Sequence, residues 1–168
     1  NAESLSYSPG FGFAVAATTL VGQSLGARDP KRAESDGYLS YKLGGGVMAT
    51  MGLVFLLFSP RIIGFFTNDP EVVALGAGPL RLVAIAQPLL ASTMIFSGAL
   101  RGAGDTRWPM LSNGFNVFVV RFGLAVLFVR VLGLGLMGAW YAMTIDMSMR
   151  GLLNFLRFRA GGWKRIEV

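Results

Sequence analysis

An all-α integral membrane helical bundle of about five transmembrane helices is the fold class this sequence predicts, on three observations. Apolar residues make up 53% of the chain and charged residues only 14%. The charges cluster between long apolar runs instead of spreading along helix faces, the pattern of a chain suited to lipid. Those runs also exceed what a water-soluble core of 168 residues could bury. The chain has no cysteine and no histidine, which removes disulfides, thiolate chemistry and the commonest general base and metal ligand. Lys and Arg outnumber Asp and Glu by 15 to 9. No basic stripe with interleaved aromatics accompanies that surplus, so it marks membrane-edge loops and excludes a nucleic-acid surface.

A helix rising 1.5 Å per residue needs roughly 20 apolar residues to cross about 30 Å of hydrocarbon. Five segments approach that length: 10–25, 38–58, 79–99, 109–131 and 132–155. The first is short and rich in small residues, and can extend upstream through Ser8 and Pro9. The third has a readable start, because Asn68-Asp69-Pro70-Glu71 supplies an N-cap, a proline at N1 and an acid in the first turn. That helix is expected to begin at the interface before entering lipid.

Orientation follows from the connections. Arg28, Lys31, Arg32, Arg101, Arg107, Arg157, Arg159, Lys164 and Arg165 fall on one side, and Arg61 and Arg130 on the other. The basic-rich side is cytoplasmic, which puts the 26–37 connection, the decapeptide LRGAGDTRWP and the C-terminal tail inside. The chain opens on Asn1 with no initiator Met or signal peptide and is expected to be part of a longer protein.

Two motif matches yield to their context. Gly22-Gln23-Ser24-Leu25-Gly26 fits G-x-S-x-G, but a hydrolase elbow needs a strand-to-helix turn and a base, so a helix ending at a glycine C-cap is the better reading. The G-x-G-x-x-G of residues 133–138 follows no strand and reads as small residues for close helix packing, continued by Ala142.

Polar groups inside the spans carry more weight, since an unsatisfied one costs several kcal/mol in hydrocarbon. Pro88, after Gln87, removes the donor to the carbonyl of Ala84 and predicts a kink with a free acceptor. With Ser92 and Thr93 one turn later, this is either a kink held by neighbouring helices or the wall of a substrate cavity. The fourth span begins with Asn113 and Asn116, further cavity candidates, and carries Arg121 at depth, which must snorkel or pair. The fifth places Gly138, Ala142, Asp146 and Arg150 four residues apart on one face. Asp146, the single acid inside any predicted span, forms an ion pair with Arg150 or Arg121, or else is a carboxylate whose protonation is coupled to transport.

GFGFAVAATTLVGQSLGARDPKRA, NDPEVV, GALRGAGDTRWP and GLGLMGAWYAMTIDMSMRGLLNFLRFRAGGWKRI resemble, in order and spacing over essentially the whole chain, the multidrug and toxic compound extrusion (MATE) transporters. The resemblance implies helices 8–12, an incomplete C-terminal lobe, of a twelve-helix fold in two six-helix lobes. It implies an antiporter in the bacterial inner membrane that exports organic, often cationic compounds by alternating access, coupled to H+ or Na+. No other cofactor and no metal is implied. The partners would be small-molecule organic substrates, membrane lipid and an N-terminal lobe of the same protein, and not nucleic acid. LRGAGDT is then the link between helices 10 and 11. In it Gly102 and Gly104 permit a reversal with positive φ, Asp105 or Thr106 caps the next helix, Pro109 sits in its first turn, and Arg101 and Arg107 hold the loop at the anionic face. Where the sodium-coupled branch carries a helix-10 carboxylate, this sequence has Leu90 and apolar neighbours, so the coupling ion stays open.

Two rival classes remain. A lipid-linked precursor flippase of the same superfamily would need more cavity cations than Arg121 and Arg150. A non-transport membrane assembly subunit would leave the mid-membrane polar groups unexplained, and an intramembrane enzyme lacks catalytic groups. The charge asymmetry predicts that single cysteines introduced at Asp105 and Thr67 of the full-length protein label from opposite faces of the membrane, Thr67 from outside. Labelling of both from one face would overturn the five-span topology.

Overall fold

The computed structural model describes residues 4–166, and among these every regular element is helical. Five rods follow one another: α1 (Ser4–Gly26), α2 (Pro30–Gly64), α3 (Pro70–Gly102), α4 (Arg107–Val131) and α5 (Gly135–Arg159). A single 3-10 turn, Gly162–Arg165, closes the described chain.

The rods reach beyond the predicted spans. α1 starts upstream of Pro9, where its proline lies near enough to the N-terminus for few backbone bonds to be lost. α2 begins eight residues before the predicted Tyr38, so most of the expected 26–37 loop is helix. The cause is Asp29-Pro30: the Asp29 carboxylate accepts from the Arg32 amide at 3.0 Å and Pro30 takes the first turn. At 35 residues α2 is roughly 50 Å long and must project past the hydrocarbon. The same device starts α3, where Asp69 accepts from the Glu71 amide at 2.9 Å.

Pro88 does not interrupt the helix. α3 keeps helical angles through both Pro79 and Pro88, and the non-helical residue is Phe58 of α2 (φ −117, ψ 18), two positions before Pro60. The carbonyl of Ala84, deprived of its donor by Pro88, lies against α2 instead: a Cβ added at Gly52 would stand 2.6 Å from that oxygen. Contact with a glycine Cα–H is the weak substitute available to a carbonyl in a dry interior.

Glycines set how closely the other helices approach α3. A Cβ at Gly98 would meet the Ala14 carbonyl of α1, one at Gly102 the Thr18 carbonyl, and one at Gly151 of α5 the Leu89 carbonyl. In lipid, where apolar surface gains little by leaving the solvent, such backbone contact is what holds helices together. Aromatic rings fill the wider gaps. Phe96, fully buried, has its centroid 4.9 Å from Tyr41, 5.1 Å from Phe158 and 5.5 Å from Phe155.

α4 stands apart, leaning mainly on α5. Phe118 and Phe122 are 78% and 69% exposed, an apolar face suited to lipid. Its helix widens twice into π turns, at Asn116–Arg121 and Leu127–Val131. α2, α3 and α4 are long and apolar enough to cross a membrane by composition alone. α1 and α5 fall short because they carry more small and polar residues, which they bury against neighbours.

An alanine at Gly102 or Gly151 of the full-length protein is expected to lower stability by about 1–3 kcal/mol through overpacking against backbone. Gly114→Ala, where a Cβ would meet nothing within 4 Å, should be neutral or stabilising by about 0.5–1 kcal/mol. Thermal midpoints in detergent distinguish the two classes; equal effects would remove the close-approach argument.

Candidate functional site

Three constellations stand out: a polar stripe on α5, a clasp at the basic end of the bundle, and an apolar cavity at the opposite end. The stripe follows from four-residue spacing, each step of which drifts about 40° around α5, so that Gly138, Ala142, Asp146, Arg150 and Asn154 wind from the side of α4 toward α3. Asp146 is completely buried and its Oδ2 receives Arg150 Nη2 at 2.6 Å, with Arg150 itself largely covered. No ion pair joins Arg121 to Asp146 among the described residues.

The other polar residues singled out from sequence divide into two groups. Ser92 Oγ donates to the Gly151 carbonyl at 2.8 Å, Thr93 Oγ1 to the Met147 carbonyl at 3.0 Å, and Asn154 Nδ2 to the Thr93 carbonyl at 3.3 Å. These bonds lock α3 to α5, and they belong to the helix interface rather than to an open wall. Gln87 differs: it is fully buried against Gly52, and neither its Nε2 nor its Oε1 has a partner. On α4, Asn116 is fully buried, donating through Nδ2 to the Ser112 carbonyl at 2.8 Å, while its Oδ1 and that of Asn113 are unpaired.

The clasp knits the α3–α4 turn to the end of α5. Gly104 takes a positive φ of 78, as the reversal requires. Gly102 does not; it closes α3, and its place is explained by the press against Thr18. Asp105, rather than Thr106, faces the start of α4, with Oδ1 3.4 Å from the Trp108 amide, while its Oδ2 receives Arg157 Nε at 2.9 Å. The Arg157 guanidinium lies 5.2 Å above the Trp108 ring. Arg101 and Arg107 remain exposed. Beyond α5, Trp163 is fully buried, stacked 4.8 Å from Phe158 and donating from Nε1 to the Phe158 carbonyl at 2.7 Å. Lys164 Nζ meets Glu34 Oε2 of α2 at 2.6 Å.

At the G-x-S-x-G segment, Gly22 faces the Gly102 carbonyl and Ser24 donates to Asp36 of α2. Gln23 lies alongside on the same helix, and the left-handed residue past Gly26 is Arg28 (φ 58). The segment is a helix end. Sequence reasoning passed over Arg81, whose Nε donates to the buried Ser59 Oγ at 3.0 Å across the α2 kink. It also passed over Trp163. The signal for Arg81 was a cation inside an apolar run, and for Trp163 a tryptophan just after a glycine pair.

At the other end a cavity of about 600 Å³ opens between α2, α3 and α5, lined by Phe66, Thr67, Leu80, Val83, Leu136 and Trp140 among others. An apolar, aromatic cavity of this size accommodates an amphipathic organic molecule.

Close helix contacts through glycine, a buried ion pair on a long helix and helices long and apolar enough to cross a membrane define a polytopic helical membrane protein. Within that class the chain belongs to the MatE family, whose sequence model matches residues 1–127. It is 34% identical over its whole length to a protein of Thermotoga maritima named probable multidrug resistance protein NorM, covering 36% of that protein. It is 29% identical over 155 residues, 91% of the chain, to the uncharacterized transporter YisQ of Bacillus subtilis, of which it covers 34%. Its fold matches a solved structure described as the inward-facing conformation of a multidrug resistance MATE family transporter of the MOP superfamily, with a TM-score of 0.85 at 23% identity, over 95% of this chain and 37% of that one. The chain thus spans about a third of the length of the relatives it matches. Two of the three are named as transporters and the third for multidrug resistance, and none is named as an enzyme.

Trp163→Ala is expected to cost about 3–5 kcal/mol, the usual loss for a buried aromatic. Lys164→Gln, which breaks a pair whose side chains are about a third exposed, should cost under about 1 kcal/mol. Thermal unfolding of the two full-length variants measures the difference, and a Trp163→Ala midpoint as high as that of Lys164→Gln would show that the tail is not anchored by its ring.

Proposed function

We propose that this chain is part of a secondary active transporter that exports drugs or other organic, often cationic compounds by alternating access in exchange for H+ or Na+. The observation that carries the reading is the match, over the whole of this chain and 36% of the relative, to a protein named for multidrug resistance. The apolar cavity beside Trp140 and the buried Asp146–Arg150 pair support it: the one suits an amphipathic compound, and ionisable residues within membrane helices mark functional sites, substrate and ion pathways among them. In this reading residues 1–168 are most of the C-terminal lobe, opposed in the bacterial inner membrane by an N-terminal lobe of the same protein. The flippase alternative loses ground because Arg150, one of its two candidate cations, already holds a carboxylate.

The test is export of a fluorescent organic cation from proteoliposomes carrying the full-length protein, with a proton or a sodium gradient imposed separately. Export driven by one of the two gradients is expected, and none from vesicles carrying this chain alone, whose lobe-facing side would meet lipid. Absence of export under both gradients would overturn the antiporter reading, and export by the isolated chain would overturn the half-transporter assignment.

A further inference from the structure

The last turns of α2 are irregular for a reason its sequence supplies. Pro60 has no amide to give the carbonyl of Leu56, and the helix breaks two residues earlier, at Phe58 (φ −117, ψ 18). Beside the break a trough of about 680 Å³ opens between the end of α2 and the start of α1. Leu5, Phe58, Ile62, Phe65 and Phe66 line it, and the one remaining lining residue is Arg61. Phe66 also lines the cavity beside Trp140, so the two spaces share a wall.

Arg61 brings an uncompensated charge to this apolar surface. Its guanidinium lies 5.6 Å from the centroid of the Phe58 ring, a cation–π contact that holds it beside the trough. The residue is exposed, and among the described residues no carboxylate pairs with it. Its place in the last turn of α2 complements the helix dipole, but that use does not call for aromatic rings around it. Depth decides what it meets. Ile62, Ile63, Phe65 and Phe66 stand between Arg61 and the polar turn Thr67-Asn68-Asp69, so the cation sits on the hydrocarbon side of that turn, about 9 Å along a helix of 1.5 Å rise. A lone arginine at such a level draws headgroups toward it by snorkelling and local thinning of the bilayer.

We propose that this trough binds one anionic phospholipid, its phosphate on the Arg61 guanidinium and an acyl chain against Leu5, Phe58 and Phe65. The guanidinium fork matches phosphate oxygens, and the rings match the chain. Phe65, 86% exposed and edge-to-face with Phe66 at 5.6 Å, is apolar surface that the bundle itself leaves uncovered. A free phosphate makes the same bond to Arg61 but gains nothing from the rings. No acidic residue lines the trough, so a headgroup ammonium finds no partner there, which favours phosphatidylglycerol over phosphatidylethanolamine. The site is separate from the cavity assigned to transported compounds and does not depend on that reading.

Native mass spectrometry of the full-length protein, stripped of lipid in detergent and titrated with either phospholipid, counts the bound molecules. The first phosphatidylglycerol is expected to bind about fivefold more tightly than phosphatidylethanolamine, the gain one basic residue gives toward anionic lipid, and Arg61→Gln should abolish the difference. Phe65→Asp, at an exposed position, should weaken both lipids by setting a charge against the acyl chain. Arg130→Gln, which removes the other cation at this end of the bundle, should leave the first lipid bound as before. Glycerophosphoglycerol, the headgroup without chains, should not compete. Equal binding of the two lipids, a preference that survives Arg61→Gln or is lost in Arg130→Gln, or competition by glycerophosphoglycerol would overturn the proposal. So would a lipid-free thermal midpoint lowered by Phe65→Asp, since that would show the trough to be filled by another protein segment, of this protein or of a second copy.

Discussion

Everything else in this fold depends on how closely three helices can approach the backbone of α3. In water, α1, α2 and α5 could be driven onto α3 by burying leucines. In lipid that force is weak, and contact must come from packing and polar bonds. Gly52, Gly98, Gly102 and Gly151 provide it by letting carbonyls on one helix lie where a side chain would otherwise stand. Gly52 does so at the one carbonyl that Pro88 deprives of its donor.

Close approach has a second consequence. Once α3 and α5 are near enough, Ser92, Thr93 and Asn154 reach across to carbonyls of the facing helix, and the interface gains directional bonds that fix its register. That register carries Asp146 and Arg150 to the flank facing α4. On α4, π turns widen the helix, and Asn113, Asn116, Asp146 and Arg150 each keep a buried polar atom without a partner. The bundle therefore has a glycine-packed half around α3 and buried polar side chains on α4 and α5. The basic end is closed by Asp105–Arg157 and the buried Trp163.

Legibility varied with how local each cause is. Asp69-Pro70 was readable as a helix start because the cap, the proline and the acid act within one turn. Asp29-Pro30 carries the same signal, yet Lys31, Arg32, Glu34 and Asp36 made the stretch look like a loop; the helix simply continues outside the hydrocarbon. Gly104 showed its need for positive φ in sequence, whereas Gly102 was assigned the same need and instead meets Thr18, a contact 84 residues away. A proline signals a lost donor but not how the backbone absorbs the loss: α3 stays regular through Pro88, while α2 breaks at Phe58.

The sequence by itself determined the helical class, the number of rods and the membrane as solvent. Each of these follows from hydropathy, caps or charge within a single segment. It also placed Arg150 one turn from Asp146, since four-residue spacing is internal to a helix. Only the tertiary structure decided that Ser92 and Thr93 hold α5, that Gln87 and Asn116 keep unfilled polar atoms, and that Trp163 folds back onto Phe158. Those outcomes depend on the relative register of helices distant in the chain, and register is set by the sum of all contacts along two facing surfaces, which no single segment encodes.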